Sequence, residues 1–156
     1  MAKPELDQIV QDFEAPATGD QTIRLSDFRD SHNVVIYFYP KDNTPGCTSE
    51  GQDFRDLHDQ FQAHDTVIFG VSRDGLKAHE NFRAKYEFPF HLICDKDESV
   101  CGLFDVIKLK KLYGKEYMGI DRSTFLIDKE GRLRKEWRGV KVKGHAQEVL
   151  EAVKAL

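Results

Sequence analysis

The stretch Val34-Val35-Ile36-Tyr37-Phe38-Tyr39, followed by Pro40 and by Lys41-Asp42-Asn43-Thr44-Pro45-Gly46-Cys47, decides the fold. An unbroken apolar and aromatic run of high β-propensity predicts a strand covered on both faces, the pattern of a parallel or mixed sheet. Pro40 ends it, because proline has no N–H to give to a ladder. The segment 41–46 is dense in turn formers, and Phe54, Leu57, His58 and Phe61 then recur at helical spacing. Strand, loop and helix therefore meet near Cys47.

The same alternation extends outward. Thr66–Ser72 reads as a second buried strand, with a helix behind it through Leu76, His79, Phe82 and Tyr86 that stops before Pro89. Phe90–Cys94 is a third strand, and a brief helix carrying Val100, Cys101 and Phe104 follows the acidic segment 95–98, whose carboxylates suit a helix N-terminus. Segments 123–128 and 132–137 flank Lys129-Glu130-Gly131 as a hairpin, and Ala146, Val149, Leu150 and Val153 form the apolar stripe of a terminal helix. The expected architecture is α/β, a central mixed sheet flanked by helices, parallel in its first half and closed by an antiparallel hairpin. At 156 residues, without repeats or linkers, the chain is expected to form one domain over 1–156.

Composition narrows the function. With 23 basic and 27 acidic side chains the formal net charge is −4, which gives no basic surplus for nucleic acid or acidic membranes. The start, Met1 to Asp7, carries no secretory pattern and no window is apolar enough to span a bilayer, so a cytoplasmic protein with resting reduced thiols is expected. The lysines at 108, 110, 111 and 115 read as a solvated loop face. Neither GxGxxG nor GxxxxGK[ST] occurs, and the six histidines are scattered without ligand spacing, so neither nucleotide, cofactor nor metal is expected.

Cys47, Cys94 and Cys101 match neither a disulfide framework nor paired zinc knuckles. Cys94 ends an apolar strand and Cys101 shares a helix face with Val100 and Phe104, so both read as packed core thiols. Cys47 differs, because it opens a predicted helix, where unpaired backbone N–H groups and the helix dipole favour a negative charge. The thiolate is the reactive form of cysteine, so nucleophilic or redox chemistry is expected from such a position. Residue type alone is equally consistent with inert packing, as Pro40 alone is with ending a strand, Thr44 with closing a turn and Arg122 with pairing at the surface.

The segment Tyr37–Glu50, with its P-x3-T-x2-C pattern, resembles the active-site motif of peroxiredoxins of the Q type, the bacterioferritin comigratory protein family. The opening Asp12-Phe13 to Pro16 and the later Gly119–Asp128 are similar as well, so the resemblance covers nearly the whole chain. It implies a thioredoxin-like fold, a peroxide substrate, and Cys47 as the peroxidatic cysteine with Pro40, Thr44 and Arg122 completing its pocket. A guanidinium beside a thiolate would hold the charge and orient the peroxide through fixed donors. Glu50, expected in the first helical turn, either assists the dipole or holds that arginine.

The chain also departs from the family. Relatives place a second, resolving cysteine five residues after the first or on the next helix, and here those positions are Gln52 and Arg83. The resemblance therefore implies a one-cysteine cycle with an external thiol, thioredoxin or glutathione with glutaredoxin, or an unusual pairing with Cys94 or Cys101. A monomer or weak homodimer is expected. The competing expectations are a redox sensor oxidised without turnover and, from the fold alone, a thiol-disulfide reductase, which the absence of CxxC disfavours.

Overall fold

A computed structural model describes residues 3–156; Met1 and Ala2, part of the expected leader-free start and of the 1–156 unit, lie outside the described residues. The strands are β1 (Glu14–Ala17), β2 (Gln21–Arg24), β3 (Asn33–Phe38), β4 (Thr66–Ser72), β5 (His91–Cys94), β6 (Ile107–Leu112), β7 (Lys115–Ile120), β8 (Ser123–Ile127) and β9 (Leu133–Trp137). The helices are α1 (Pro45–Ala63), α2 (Leu76–Lys85), α3 (Ser99–Leu103) and α4 (His145–Lys154). Seven strands form one sheet in the order β2-β1-β5-β4-β3-β8-β9, with β3, β4 and β5 parallel and the remaining pairs antiparallel. This is the expected mixed α/β single domain.

The buried run of β3 sits at the sheet's centre because both its faces find apolar partners. Val34, Ile36 and Phe38 point into one core with Cys101, Phe104 and Phe125, while Val35, Tyr37 and Tyr39 join a second core with Cys47, Phe54, Phe61, Phe82 and Val149. Side chains alternate across a strand, so the sheet separates the two cores. Helices α1, α2 and α4 cover the second, and α3 covers the first.

Two features differ from expectation. The lysine-bearing segment is not a loop: β6 and β7 pair as a separate two-stranded ribbon with register Lys110↔Tyr117 and Lys111↔Glu116. Lysine's weak β-propensity hid a hairpin whose turn is carried by Tyr113 and Gly114, both at positive φ. The β1–β2 hairpin also escapes a periodicity reading, being only four residues per strand. Helix α2 ends at Lys85 with Tyr86 as its C-cap, ahead of Pro89 as expected, and Glu87 then takes a left-handed φ of 55°.

Gly51 shows how closely α1 packs. A Cβ there would collide with the ring of Phe88, which stacks on Phe90 with centroids 5.2 Å apart and cannot easily yield. Overpacking of this kind costs about 1–3 kcal/mol, against a gain of ~1 kcal/mol for alanine over glycine in a helix. Gly51→Ala is expected to lower the urea midpoint of unfolding; an unchanged or higher midpoint would show that the ring moves freely.

Candidate active site

Helix α1 begins at Pro45, with Thr44 as its N-cap. Proline suits this position, since its missing N–H has no acceptor in the first turn anyway. The Thr48 N–H already reaches Thr44 O at 2.9 Å, so Cys47 lies in the turn before the internal ladder starts. The partial positive charge of a helix N-terminus is concentrated there. Yet Cys47 is only 1 % exposed, packed in the core beneath α1.

Arg122 arrives from the junction of β7 and β8. Its carbonyl accepts the Val140 N–H at 3.0 Å, and the neighbouring Asp121 N–H donates to Val106 O at 2.7 Å, which fixes the backbone. The guanidinium then forks: Nη2 donates to Cys47 Sγ at 3.4 Å and Nη1 to Glu50 Oε1 at 2.6 Å. Gly46 permits this approach, since a Cβ there would lie 3.1 Å from Nη2. The sequence marks Gly46 only as a turn former; its second service, leaving room for an arginine distant in sequence, has no local signal.

Glu50 sits in the second turn of α1, not the first, because the helix starts earlier than the apolar periodicity indicates. Of its two expected roles, the contact made is the one that holds the arginine. Burial pushes its carboxyl up to about 7, and Arg122 offsets only part of that, since Oε2 has no protein donor. Burial also works against the Arg122 charge, but Glu50 and Cys47 outweigh it and hold the guanidinium above its ordinary value. Thr44 Oγ1 donates to Lys41 O at 2.8 Å, which leaves its oxygen free only as an acceptor. Pro40 is half-buried at the end of β3. The structure thus brings Cys47, Glu50 and Arg122 into direct contact, with Thr44 and Pro40 flanking them in the loop.

The other two thiols are differently placed. Cys101 lies in the core on the far face of the sheet; burial and the Asp95 carboxylate push its thiol far above the ordinary range. Cys94 donates to Asp74 O at 3.2 Å, and burial pushes its thiol up. All three cysteines are free.

Among the described residues, Asp42, Asp74 and His79 bring ligand atoms within 4.8 Å of one another. The His79 Nδ1 to Asp42 Oδ2 distance is 2.7 Å, a direct hydrogen bond, and His79 Nε2 is engaged by Ile93 O at 2.9 Å. Those lone pairs are already occupied by protons, so the group is a hydrogen-bond network and does not suit a metal. Hollows of about 390 Å³ against Asn33, His64 and Lys129 and about 240 Å³ against Phe28, His58 and His91 contain none of the Cys47 contacts. Recessed volume does not mark the site; the contact between thiol and guanidinium does.

The AhpC/TSA family pattern matches residues 6–136. The chain is 53 % identical over 150 residues to Peroxiredoxin Bcp of Bacillus subtilis, covering 96 % of this chain and 95 % of that one. Among solved structures, Peroxiredoxin Q of Xanthomonas campestris superimposes with a TM-score of 0.89 at 49 % identity, over 97 % of this chain and 96 % of that one. A cysteine-to-serine variant of Xylella fastidiosa PrxQ gives 0.92 at 42 % identity, over 99 % and 98 %. A third structure, of Xanthomonas campestris bacterioferritin comigratory protein, gives 0.89 at 48 % identity over 99 % and 98 %, and its description concerns alkyl peroxide reduction. The chain belongs to the AhpC/TSA family, among the peroxiredoxins of the Q or Bcp type. Its general chemistry is accordingly that of a thiol peroxidase, an antioxidant oxidoreductase with a thioredoxin-like fold.

The Glu50 carboxyl gives a pH signature. Its folded value of about 7 lies above the 4.5 of an unperturbed glutamate, so between those limits the folded state binds more protons than the unfolded one. Stability then falls as pH rises through that window. Glu50→Gln is expected to flatten this part of the melting temperature against pH curve between pH 5 and 7. Parallel curves for the two proteins would show that Glu50 does not titrate there.

Proposed function

We propose that residues 1–156 act as one cytoplasmic peroxidase unit in which Cys47 reduces hydrogen peroxide and small organic hydroperoxides and an external thiol restores it. The observation that carries this reading is the Arg122 fork, with one arm on Cys47 Sγ and the other on buried Glu50. A fixed donor beside sulfur favours negative charge there and suits the charge that develops on peroxide oxygens. The alkyl peroxide reduction described for the Xanthomonas campestris relative supports the same substrate class.

The Cys47 thiolate attacks the nearer peroxide oxygen. A sulfur–oxygen bond forms as the oxygen–oxygen bond breaks, and the departing oxygen leaves with the electron pair, takes a proton and becomes water or an alcohol. Cys47 is left as sulfenic acid. Arg122 stabilises the departing charge, Thr44 offers an acceptor for the peroxide hydrogen, Pro40 shields the loop and Glu50 keeps the guanidinium in place. No cofactor is needed, because sulfur carries the electrons.

The cycle closes when a thiol attacks the sulfenic sulfur, releasing water, and a second thiol frees Cys47 from the mixed disulfide. Two features support an external donor. The sheet stands between Cys47 and Cys101, and Gln52 and Arg83 occupy the positions where relatives carry a resolving cysteine. Thioredoxin, or glutathione with glutaredoxin, is the proposed donor, acting on a monomer or weak homodimer.

Peroxide consumption coupled to NADPH through either reducing system tests the proposal. Multiple turnovers are expected for the wild type and none for Cys47→Ser, while Arg122→Lys, which cannot hold both partners with one fork, is expected to lose about 10²–10³ in rate. Oxidation that stops at one equivalent under both reductants would favour a sensor over an enzyme.

A further inference from the structure

The β6–β7 ribbon ends at the active site, since β7 runs through Ile120 and Asp121 into Arg122. Cross-strand partners share a face, so Lys108 with Gly119, Lys110 with Tyr117 and Leu112 with Lys115 line one side, and Lys111 with Glu116 lies on the other. Lys108 is tied to Asp105 at 3.0 Å and Lys111 to Glu116 at 3.5 Å. Lys110 is half-buried, yet among the described residues its ammonium has no hydrogen-bond or ion-pair partner. Its stem is folded along the ribbon. A Cβ on Gly119 would lie 3.2 Å from Lys110 Cδ and 3.0 Å from Tyr117 Cε2, so both side chains lie across that glycine, toward the end of the ribbon that carries Arg122.

Two arginines share that end of the ribbon. Arg122 is balanced by Glu50, and Arg73, which donates to Met118 O at 3.3 Å, is balanced by Glu98 at 2.9 Å. Lys110 has no such balance. Burial draws its ammonium below the usual lysine value and Arg122 and Arg73 add to this; Asp121 and Cys47 oppose it, but no carboxylate comes within ion-pair distance. A half-buried cation beside two like charges and without a counter-anion carries a cost that an incoming carboxylate would relieve. The local charge also runs against the −4 of the whole chain, so an anion repelled by the rest of the surface is drawn to this place. We propose that Lys110 is a specificity residue, which receives the carboxylate of an anionic reactant as that reactant enters the Cys47 site. The two half-reactions offer two sources of that chemistry, an organic hydroperoxide that carries a carboxylate and a carboxylate-bearing thiol. Hydrogen peroxide has no such group and gains nothing from the contact. Which reactant is served rests on the peroxidase reading above; the preference for anions beside Cys47 does not.

The test uses the full chain in a Cys94→Ala/Cys101→Ala background, where Cys47 is the sole thiol, with matched neutral and anionic reagents. Iodoacetamide and iodoacetate alkylate reduced Cys47, cumene hydroperoxide and its para-carboxylate oxidise it in a single turnover, and β-mercaptoethanol and mercaptopropionate reduce the sulfenic acid. For each pair the anionic-to-neutral rate ratio is compared between variants, which cancels the reagents' intrinsic reactivities. Lys110→Gln is expected to lower the iodoacetate-to-iodoacetamide ratio about fivefold, the effect of one unit charge at ~4 Å in water, and Lys110→Arg to keep it near the parent. Lys111→Gln, the same loss of charge on the opposite face, is expected to leave it unchanged. A matching fall in the hydroperoxide ratio assigns the site to the oxidising reactant, and in the thiol ratio to the reducing one. A fall confined to iodoacetate would overturn the role in the reaction. A ratio that holds in Lys110→Gln, or that falls equally in Lys111→Gln, would overturn the anion site itself. A parent protein inert to both hydroperoxides would instead defeat the proposed function, and the alkylation arm would still decide the anion site.

Discussion

The Arg122 guanidinium is the constraint on which the site depends. It joins three pieces of chain that have no local reason to meet: the first turn of α1 through Cys47, the second turn through Glu50, and the junction of β7 and β8 that carries Arg122 itself. Two positively polarised groups, the helix N-terminus and the guanidinium, converge on one sulfur, and a buried carboxylate prevents the guanidinium from swinging away. Arginine suits this task because its planar fork serves two partners at once without losing its charge. The cost is a carboxyl buried with one oxygen lacking a protein donor, a degree of strain that a purely structural helix would have no reason to retain.

The sheet supplies the frame for that convergence and also divides the molecule's thiols. Alternation along β3 sends Tyr37 and Tyr39 toward Cys47 and Phe38 toward Cys101, so two cysteines in one small domain inhabit separate cores. Burial and the Asp95 carboxylate push the Cys101 thiol up, whereas Cys47 sits at a helix terminus next to a cation. The two thiols thus differ in their neighbours rather than in burial, since both side chains are almost fully enclosed.

Much of this was legible in the sequence because it rests on period and punctuation. The continuous apolar run of β3, the alternation with helical stretches and Gly131 in the last hairpin, whose φ is 84°, all follow from local physics. The β6–β7 ribbon was not legible, since its strands carry lysines and lie exposed, where no hydrophobic alternation is needed. Cys47 could be singled out from its place at a helix start, but Arg122 could not be told from other arginines by composition; the family resemblance named it. The link between Asp42 and His79 was invisible for a further reason: the two residues are distant in sequence, and a buried histidine reads as packing until its hydrogen bonds are known.

The central claim is that Cys47, activated by Arg122 and unassisted by a second cysteine, is the group oxidised by peroxide. Intact-mass measurement of the reduced protein after one equivalent of hydrogen peroxide, with and without a sulfenic-acid trap, tests it most directly. A single trapped adduct that vanishes in Cys47→Ser, with no loss of two protons in the wild type, is the predicted result. A two-proton loss would reveal an internal disulfide, and a trapped adduct that persists in Cys47→Ser would place the chemistry on another thiol.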